Sequence, residues 1–510
     1  MNFLSNKNIN LTSDGNDLND ASIENLLQLF QKGLFDKTIE LSGQVIAKNP
    51  YLALAYTLLS SSLSALGDKD AAIKCLLEGI KNNPNDSNLY NNLAIIYQGK
   101  KDYVNAQSYS IKSIQLNPNS SEAYFTLAVS LSYLDNMEEA TKAYKNSFNK
   151  NRHNHEALLQ TGNSYKDQKK FKHALEVYRK YQKLFPNRVE GFYSEGCLHI
   201  RNLKLKYGWK GYECGLKNNN RSPAQGYHEE KKELWDGKKF DGPLLVYGEQ
   251  GLGDQIIFGT IIPDLLELQN NVIIKVNKKL TNFFKFNFPD ITVIEEDQFL
   301  PENLYYKYIS MGSLCKYFRN ETSDFSRSKF KEYKAPNTSI KFKDTLSNKK
   351  LNIGVSWFSF AEKTGSKRSF SIKEISEIVS IKDYNFINLQ YGDIQNQVNQ
   401  IQETTNNRLN NIDGINLTDD IDAIANLIVS CDLVITIDNT MAHLSASLGK
   451  KTWIILPYSA DWRWFENTNK SLWYENAYLL RQGPNKNWSN IISEITEKLK
   501  TYNEYKDELL

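Results

Sequence analysis

The stretches Tyr56-Thr-Leu-Leu59, Tyr90-Asn-Asn-Leu93 and Tyr124-Phe-Thr-Leu127 return at a constant step of 34 residues. Prolines keep the same step at Pro50, Pro84, Pro118 and Pro186, with Arg152 in the one slot that lacks proline. Four alanines also recur at the 34-residue step, at Ala72, Ala106, Ala140 and Ala174. A period of 34 residues is the length of two helices joined by a turn. The sequence therefore predicts an array of helical pairs.

In each pair, we expect the tyrosine and leucine columns to line the inner face of the first helix, and the alanine to let the second helix approach closely. Proline ends the second helix because it lacks an N–H group and disfavours helical geometry in the residue before it. Each pair exposes an apolar face that its neighbour covers, so the pairs stack into a solenoid. The pattern resembles tetratricopeptide repeats in six frames, of which the first, with Thr38, and the last lack the alanine.

The repeats predict a solenoid domain over residues 21–220, preceded by a disordered segment, 1–20, that is rich in Asn, Asp and Ser. The concave surface of such a solenoid holds a peptide or a protein partner. The alternative is that the array is only a spacer or a dimerisation element.

After residue 220 the pattern changes to alternating strands and helices. Pro243–Tyr247 is a short apolar strand, followed by a glycine loop to Asp254 and a helical pattern over Gln255–Leu268. Strand, glycine loop and helix form the opening unit of a nucleotide-binding α/β fold. Further strands are predicted at Val272–Val276, Ile291–Ile294, Tyr308–Met311, Leu351–Trp357, Phe386–Gln390, Leu433–Ile437 and Thr452–Leu456. They predict two Rossmann-like lobes, 221–345 and 346–510, with a cleft between them.

Composition excludes several classes of partner and site. The 510 residues carry 62 Lys and Arg against 59 Asp and Glu, a net charge of +3, which is too even for a protein that binds mainly nucleic acid. Five scattered cysteines argue against a disulfide framework or a structural zinc site. The sequence shows neither a signal peptide nor an apolar run of about 18 residues, so we expect a cytoplasmic protein without an integral membrane segment.

The first candidate site is the glycine loop Gly248-Glu-Gln-Gly251-Leu-Gly253-Asp254. Its glycines permit close backbone approach to a ligand. Asp254 stands at the start of a helix, where it can cap the helix or, facing the cleft, act as a general base toward an acceptor hydroxyl. Spacing alone favours the cap.

Two further candidates follow later strands. In Asp438-Asn439-Thr440-Met-Ala-His443, Asn439 and Thr440 are good N-cap residues, and the N–H groups behind them can bind a diphosphate. A lone histidine such as His443 is more often packed or capped than catalytic. The basic loop Lys363–Ser369, with Lys367 and Arg368, can meet a diphosphate leaving group, or it is simply a solvated loop.

Taken together, the second half resembles the bacterial glycosyltransferases of family 9, the heptosyltransferase-like group, in the form fused behind tetratricopeptide repeats. The motifs that carry the resemblance are Gly208-Trp209-x-x-Tyr212-Glu213, Leu234-Trp235-Asp236-Gly237, Glu249-Gln250-Gly251-Leu252-Gly253-Asp254, Arg368-Ser369, Leu389-Gln390, Asp432-Leu-Val-Ile-Thr-Ile-Asp438, Ala442-His443-Leu444 with Leu448-Gly449, and Asp461-Trp462-Arg463-Trp464. The resemblance implies a two-lobed transferase of the GT-B type that is inverting and metal-independent.

The resemblance also implies roles for individual residues. It points to Asp254 and His443 as catalytic, and this reverses the preference for a cap at Asp254. The donor-binding residues that it implies are Lys367, Arg368, Asp438, Asn439, Thr440 and His443. The acceptor-side loop that it implies comprises Glu249, Gln250, Gly251 and Gly253.

This chain also departs from the family pattern. Asn439 stands where the family has threonine, which leaves open whether Asn439 or Thr440 touches phosphate. Asp420-x-Asp422 spells a metal-binding string of another transferase class, but it opens a helix and is better explained as N-terminal capping.

We therefore expect transfer of a sugar from a nucleotide-sugar substrate to a hydroxyl of a glycan or protein acceptor, with no metal and no cofactor. The alternative is a non-catalytic scaffold whose repeats bind a partner and whose transferase domain is degenerate.

Overall fold

The computed structural model describes residues 20–217, 221, 232–336, 346, 349–361, 364–406 and 408–502. Apart from Asp20, the segment predicted to be disordered lies outside them. The predicted domain boundaries at 220 and 345 fall on residues that are also outside the described ranges. The chain divides into two compact units, one ending at Gln168 and the other beginning at Lys169.

The described part of the first unit consists of four helical pairs and the first helix of a fifth. Its helices are α1 Asp20–Gln31, α2 Phe35–Lys48, α3 Ala53–Ala65, α4 Lys69–Asn82, α5 Ser87–Gly99, α6 Tyr103–Leu116, α7 Ser121–Tyr133, α8 Met137–Lys150 and α9 His155–Asp167. Aspartates cap several of them. For example, the carboxylate of Asp68 accepts from the backbone N–H of Ala71 at 2.9 Å, and that of Asp102 accepts from Asn105 at 3.1 Å.

The backbone conformation of the turn inside each helical pair repeats with the same 34-residue period as the sequence. A residue with positive φ recurs at the 34-residue step, at Gly33, Gly67, Lys101, Asp135, Lys169 and Leu203. The left-handed conformation favours glycine, yet only the first two turns have it. Six such turns confirm the six predicted frames.

The alanine column is buried as predicted, since all four alanines of the column are completely inaccessible. The prediction that the tyrosine and leucine columns are buried is wrong in part. Tyr56 and Leu93 are buried, but Tyr90 and Tyr124 are only half-buried. The fully buried column lies one residue before the tyrosine, at Ala55, Leu89, Ala123 and Ala157. Three of these four residues are alanines, which let neighbouring helices come close.

The second unit begins with the last three helices that the repeat pattern predicts, α10 Phe171–Leu184, α11 Glu190–Arg201 and α12 Leu205–Tyr212. The indole of Trp209 in α12 is buried and donates to the carbonyl of Arg319, which lies beyond the first sheet in the chain. These repeat helices therefore form one compact body with the α/β region.

A five-stranded parallel sheet follows, with the order β1-β5-β2-β3-β4. The strands are β1 Glu233–Leu234, β2 Leu244–Tyr247, β3 Val272–Val276, β4 Thr292–Glu295 and β5 Lys307–Ser310. The helices are α13 Leu252–Gly259, α14 Ile262–Leu268, α15 Lys278–Asn287, α16 Cys315–Phe318 and α17 Ser323–Ser326. The single helix expected over Gln255–Leu268 is wrong, because Pro263 in the first turn of α14 has no N–H to continue α13.

A second parallel sheet has six strands in the order β11-β10-β9-β6-β7-β8. They are β6 Leu351–Ser356, β7 Tyr384–Asn388, β8 Leu409–Asn410, β9 Leu433–Ile437, β10 Thr452–Leu456 and β11 Ala477–Arg481. The helices are α18 Gly365–Arg368, α19 Ile372–Val379, α20 Gln395–Thr405, α21 Ile421–Val429, α22 Thr440–Ser447 and α23 Ser489–Tyr502. A helical repeat array followed by a parallel-sheet α/β region is thus confirmed.

Candidate functional site

Two of the predicted motifs meet where central strands of the two sheets end. The glycine loop follows β2 and leads into α13, and Asp438 follows β9 and leads into α22. Helices α13 and α22 pack against each other, and a Cβ added to Gly253 would lie 2.9 Å from Cδ2 of His443. Ligands of parallel α/β sheets bind beyond the carboxyl ends of the strands. At this point α13 and α22 are in direct contact.

Both carboxylate oxygens of Asp254 have partners. Oδ2 accepts from the backbone N–H of Gly251, the N-cap of α13, at 3.2 Å. Oδ1 forms an ion pair with Nη2 of Arg463. Asp254 therefore caps α13, as its spacing in the sequence favoured, and it also pairs with the charged side chain of Arg463.

Arg463 belongs to the candidate site, and reasoning from the sequence did not single it out. Its Nη1 donates to Oδ1 of Asp461 at 2.6 Å, and its Nη2 also donates to Oε1 of Gln250 at 3.2 Å. The guanidinium lies 4.4 Å from the ring centre of Trp462. Arg463 thus links the loop after β10 to the loop after β2. The only signal in the sequence was the motif Asp461-Trp-Arg-Trp464.

Asp438 is held by two donors from the segments that follow β6 and β10. Its Oδ1 accepts from the indole N–H of Trp464 at 2.7 Å, and its Oδ2 pairs with Nη1 of Arg368 at 3.3 Å. Burial and the nearby charge of Asp461 raise the pKa of Asp438, while Arg368 opposes them. Nε of Arg368 also donates to the hydroxyl of Ser359 at 3.1 Å.

His443 is packed between aromatic rings and is only 5% exposed. Its ring stacks on Trp464, with centroids 4.8 Å apart and planes 12° apart, and its Nδ1 lies 3.2 Å from the hydroxyl of Tyr474. Burial, reinforced by the charge of Arg463, lowers the pKa of His443 to about 3. The imidazole is therefore neutral near pH 7. Its Nε2 has no hydrogen-bond partner in the part of the chain that the structure describes.

Asn439 and Thr440, which the sequence left as alternative phosphate ligands, have different hydrogen-bonding environments in the structure. Oδ1 of Asn439 caps α22 by accepting from the N–H of Met441 at 3.0 Å, and it also accepts from Thr436. Its Nδ2 donates to Ser356 at 2.9 Å, so the buried amide holds the turn between strand and helix. Thr440 is half-buried and makes no side-chain hydrogen bond within the described ranges.

The basic loop contributes one of its cations to this cluster. Lys363 lies outside the described residues, and Lys367 is exposed. Arg368 turns inward to Asp438 and keeps 20% of its side chain exposed. Behind it, Oε1 of Gln390 accepts from Ser356, Trp357 and Phe358 at 3.0, 2.9 and 2.8 Å. That side chain fixes the start of the loop that carries Arg368.

Glu249, which the resemblance placed in an acceptor-side loop, faces the interior. Its side chain is fully buried, and its two oxygens accept from Nε and Nη2 of Arg221 at 3.0 and 2.9 Å. The next residue, Gln250, has a left-handed φ of 58°, and its Oε1 also accepts from the hydroxyl of Tyr212 at 3.1 Å. Glu249 and Gln250 therefore fix the shape of the loop that presents Asp254.

Asp420 caps α21 by accepting from the N–H of Ala423 at 2.9 Å, which confirms the capping role predicted for it. Among the described residues, no group of three or more His, Cys, Asp or Glu side chains is placed to hold a metal ion. Over the same ranges, no helix combines the length and the apolar character needed to cross a bilayer. The absence of a metal and of a cofactor from the reaction stays a prediction.

Three family models described as tetratricopeptide repeat match residues 53–86, 75–108 and 156–188. The chain contains tetratricopeptide repeats. The matched residues cover α3, α4, α5 and the start of α6, then nearly all of α9, and α10 in the second unit.

Other similarities are weaker. Protein FlbA of Caulobacter vibrioides is 24% identical over 268 residues, which are 48% of this chain and 44% of FlbA, so the chain spans less than half of that protein. Among solved structures, MamA is 17% identical and covers 32% of this chain with 91% of its own, at a TM-score of 0.29. YrrB, described as a TPR protein with an unusual peptide-binding site, is 16% identical, with coverages of 34% and 91% and a TM-score of 0.31. PilF of Pseudomonas aeruginosa is 18% identical, with coverages of 39% and 89% and a TM-score of 0.34.

Proposed function

We propose that the second unit is a glycosyltransferase of the GT-B type, which moves a sugar from a nucleotide-sugar donor to a hydroxyl of a glycan or protein. The observation that carries the proposal is one cluster at the carboxyl ends of β2 and β9, in which Asp254, Arg463, Asp438, Arg368 and His443 are linked by close contacts. A candidate base, two guanidiniums and a helix N-terminus are the groups that a metal-independent transfer needs.

In the proposed reaction, the acceptor oxygen bonds to the anomeric carbon as the bond from that carbon to the diphosphate oxygen breaks. Asp254 takes the acceptor proton, and attack opposite the leaving group inverts the anomeric centre. Arg368 and the N–H groups of α22 stabilise the departing diphosphate. His443 is neutral, so it offers a hydrogen bond without adding charge to the donor pocket.

The repeats of the first unit give the protein a surface for a protein partner, which we propose is either the acceptor or a protein that presents it. Stacked helical pairs of this family form extended surfaces suited to such contacts. The hydroxyl of Thr57 and the amide of Asn92 lie on the first helices of adjacent pairs and share a hydrogen bond of 3.1 Å. Polar groups of this kind are suited to contacts with the main chain of a bound peptide.

The transferase proposal is tested by incubating the full-length protein with a panel of nucleotide sugars and measuring nucleotide release. We expect release from one donor, and a loss of about 100-fold or more in Asp254→Asn, the range for removing a general base. His443→Ala should weaken donor binding, whereas Lys373→Ala, an exposed change on α19, serves as the control. The proposal fails if no nucleotide sugar is cleaved and none raises the melting temperature.

A specific observation also favours the alternative, a non-catalytic scaffold. Both oxygens of Asp254 are already engaged, one by the N-terminus of its own helix and one by Arg463. A carboxylate used in this way can be purely structural. Under that reading, Asp254→Asn would lower the melting temperature and leave any low nucleotide release unchanged.

A further inference from the structure

Arg463 connects loops that follow strands of the two sheets of the second unit. It lies in the loop after β10, and its guanidinium reaches Asp254 and Gln250 in the loop after β2. Its remaining partner, Asp461, is two residues away in the same loop, at 2.6 Å. The side chains of Arg463 and Asp254 keep 13% and 18% of their surface exposed, so a solute can reach the pair.

The charged side chains of the cluster are paired with one another. Arg463 is bound by Asp254 and Asp461, and Arg368 is bound by Asp438. Three carboxylates therefore surround two guanidiniums. A diphosphate that enters would meet cations whose charge is already neutralised, and it would also meet the repulsion of the carboxylates.

One of the three carboxylates is the easiest to displace. Asp438 is 8% exposed and is held by the indole of Trp464 as well as by Arg368. Asp461 is tied to Arg463 by chain proximity and by a second hydrogen bond, from the N–H of Arg463 at 3.1 Å. Asp254 comes from the other sheet and keeps a hydrogen bond to Gly251 if the ion pair opens.

We infer that Arg463 is a ligand for the donor diphosphate, and that Asp254 occupies it until the diphosphate arrives. This inference rests on the proposed function. Binding of the diphosphate to Arg463 and release of the Asp254 carboxylate are then one exchange. In the ion pair, Oδ1 of Asp254 faces the guanidinium of Arg463, so this oxygen can take the acceptor proton only after the donor has displaced it. The exchange therefore orders the reaction, with the donor first and the acceptor second.

Inorganic pyrophosphate is a suitable probe because it carries the diphosphate group without the sugar or the nucleoside of the donor. Its affinity for the full-length protein is measured by titration calorimetry, with Lys373→Ala as the control. We expect Asp254→Asn to bind pyrophosphate about tenfold tighter than wild type, because a competing negative charge is gone, and Arg463→Gln to bind it about tenfold more weakly. In the double variant, the gain from Asp254→Asn should disappear.

The sign of the Asp254→Asn effect decides the inference. Equal or weaker binding by that variant overturns it, as does pyrophosphate affinity that is unaffected by Arg463→Gln, or no binding to wild type. A second measurement needs no variant: carbodiimide labelling of Asp254 in the wild-type protein, quantified by mass spectrometry, should rise when pyrophosphate is added. Unchanged or reduced labelling also overturns the inference.

These outcomes are separate from those of the proposed function, which is judged by nucleotide release from nucleotide sugars. Turnover without the exchange would support the transferase activity and show that Asp254 acts as a base without first being released from Arg463. The exchange without turnover would show a site that binds diphosphates and does not transfer sugar.

Discussion

Nε of Arg201 donates to Oε2 of Glu466 at 2.8 Å, and both side chains are almost completely buried. Lys169 adds a second cation, with its Nζ 2.5 Å from Oε1 of Glu466. Arg201 ends helix α11, the first helix of the last repeat pair, and Glu466 follows the loop that carries Arg463. A repeat helix therefore fixes the far end of the candidate site.

Replacing Arg201 with methionine should destabilise the second unit by about 3–5 kcal/mol, the range for leaving a buried carboxylate without its main partner. All eight tryptophans lie between Trp209 and Trp488, so urea unfolding followed by tryptophan fluorescence reports this unit alone. The matched control is Arg179→Met, which removes an ion pair of 3.0 Å to Glu195 from an arginine that is 63% exposed. There we expect less than about 1 kcal/mol, and equal effects of the two changes would contradict the prediction.

The neutral state of His443 predicts a dependence of stability on pH. The unfolded chain takes up a proton at this histidine near pH 6.5, whereas the folded chain does so only near pH 3. Between these values the unfolded state binds more protons, so the free energy of unfolding falls as the pH is lowered. From pH 6.5 to pH 5, this group should remove about 2 kcal/mol.

The comparison variant is His443→Phe, which keeps an aromatic ring against Trp464. Its free energy of unfolding, measured by urea titration at several pH values, should fall less than that of wild type over this range. Parallel pH profiles would show that the imidazole is protonated in the folded protein as readily as in water.

Gly253→Ala should separate α13 from α22. The added methyl would lie 2.9 Å from Cδ2 of His443, closer than carbon atoms normally pack, so a ring that is stacked on Trp464 must move. We expect a loss of about 1–3 kcal/mol, as for other overpacked interfaces. At Gly251, where the nearest atom would be 3.6 Å away, the same change should cost well under that amount. Chemical denaturation of both variants provides the test, and a larger effect at Gly251 would show that α13 and α22 tolerate separation.

The first unit can be tested independently through Ala106, which is completely buried in α6. Ala106→Leu should destabilise the first unit by about 1–3 kcal/mol, because the close contact between helices has no room for the larger side chain. The loss should be visible as an earlier helix-melting transition by circular dichroism, with the tryptophan fluorescence transition unchanged. Ser108→Leu, at an exposed position of the same helix, is the control. Similar melting of both variants would show that the alanine column is not a packing constraint.

The fold was largely predictable from the sequence because its signals are periodic. The 34-residue step at Ala72 and Ala106 repeats the same packing demand in each pair, and four-residue apolar runs such as Leu244–Tyr247 identify strands that are buried on both faces. Three strands were not predicted. β1 and β8 have two residues each, and an edge strand such as Glu233–Leu234 has no apolar run to mark it. The edge strand β11, Ala477–Arg481, was missed although it contains Leu479 and Leu480.

The candidate site was predictable only in part. The sequence indicated Asp254, Asp438 and His443 because each follows an apolar strand at the carboxyl edge of a sheet. It did not indicate the pairing of Asp254 with Arg463, because the two residues are 209 positions apart and meet only through the packing of two sheets. For the same reason, the inward orientation of Glu249 depends on Arg221, a residue with no recognisable motif of its own.

The division of the chain at Gln168 and Lys169 has a consequence for how such a protein can change its length. Helical pairs that precede Gln168 can be duplicated, deleted or exchanged as modules, because each contributes its own nearest-neighbour packing. The helices from Phe171 to Tyr212 are not interchangeable in this way, since Arg201 and Trp209 are built into the core of the α/β region. A shortened version that retains the candidate site should therefore start near Lys169, well before the last repeat has ended.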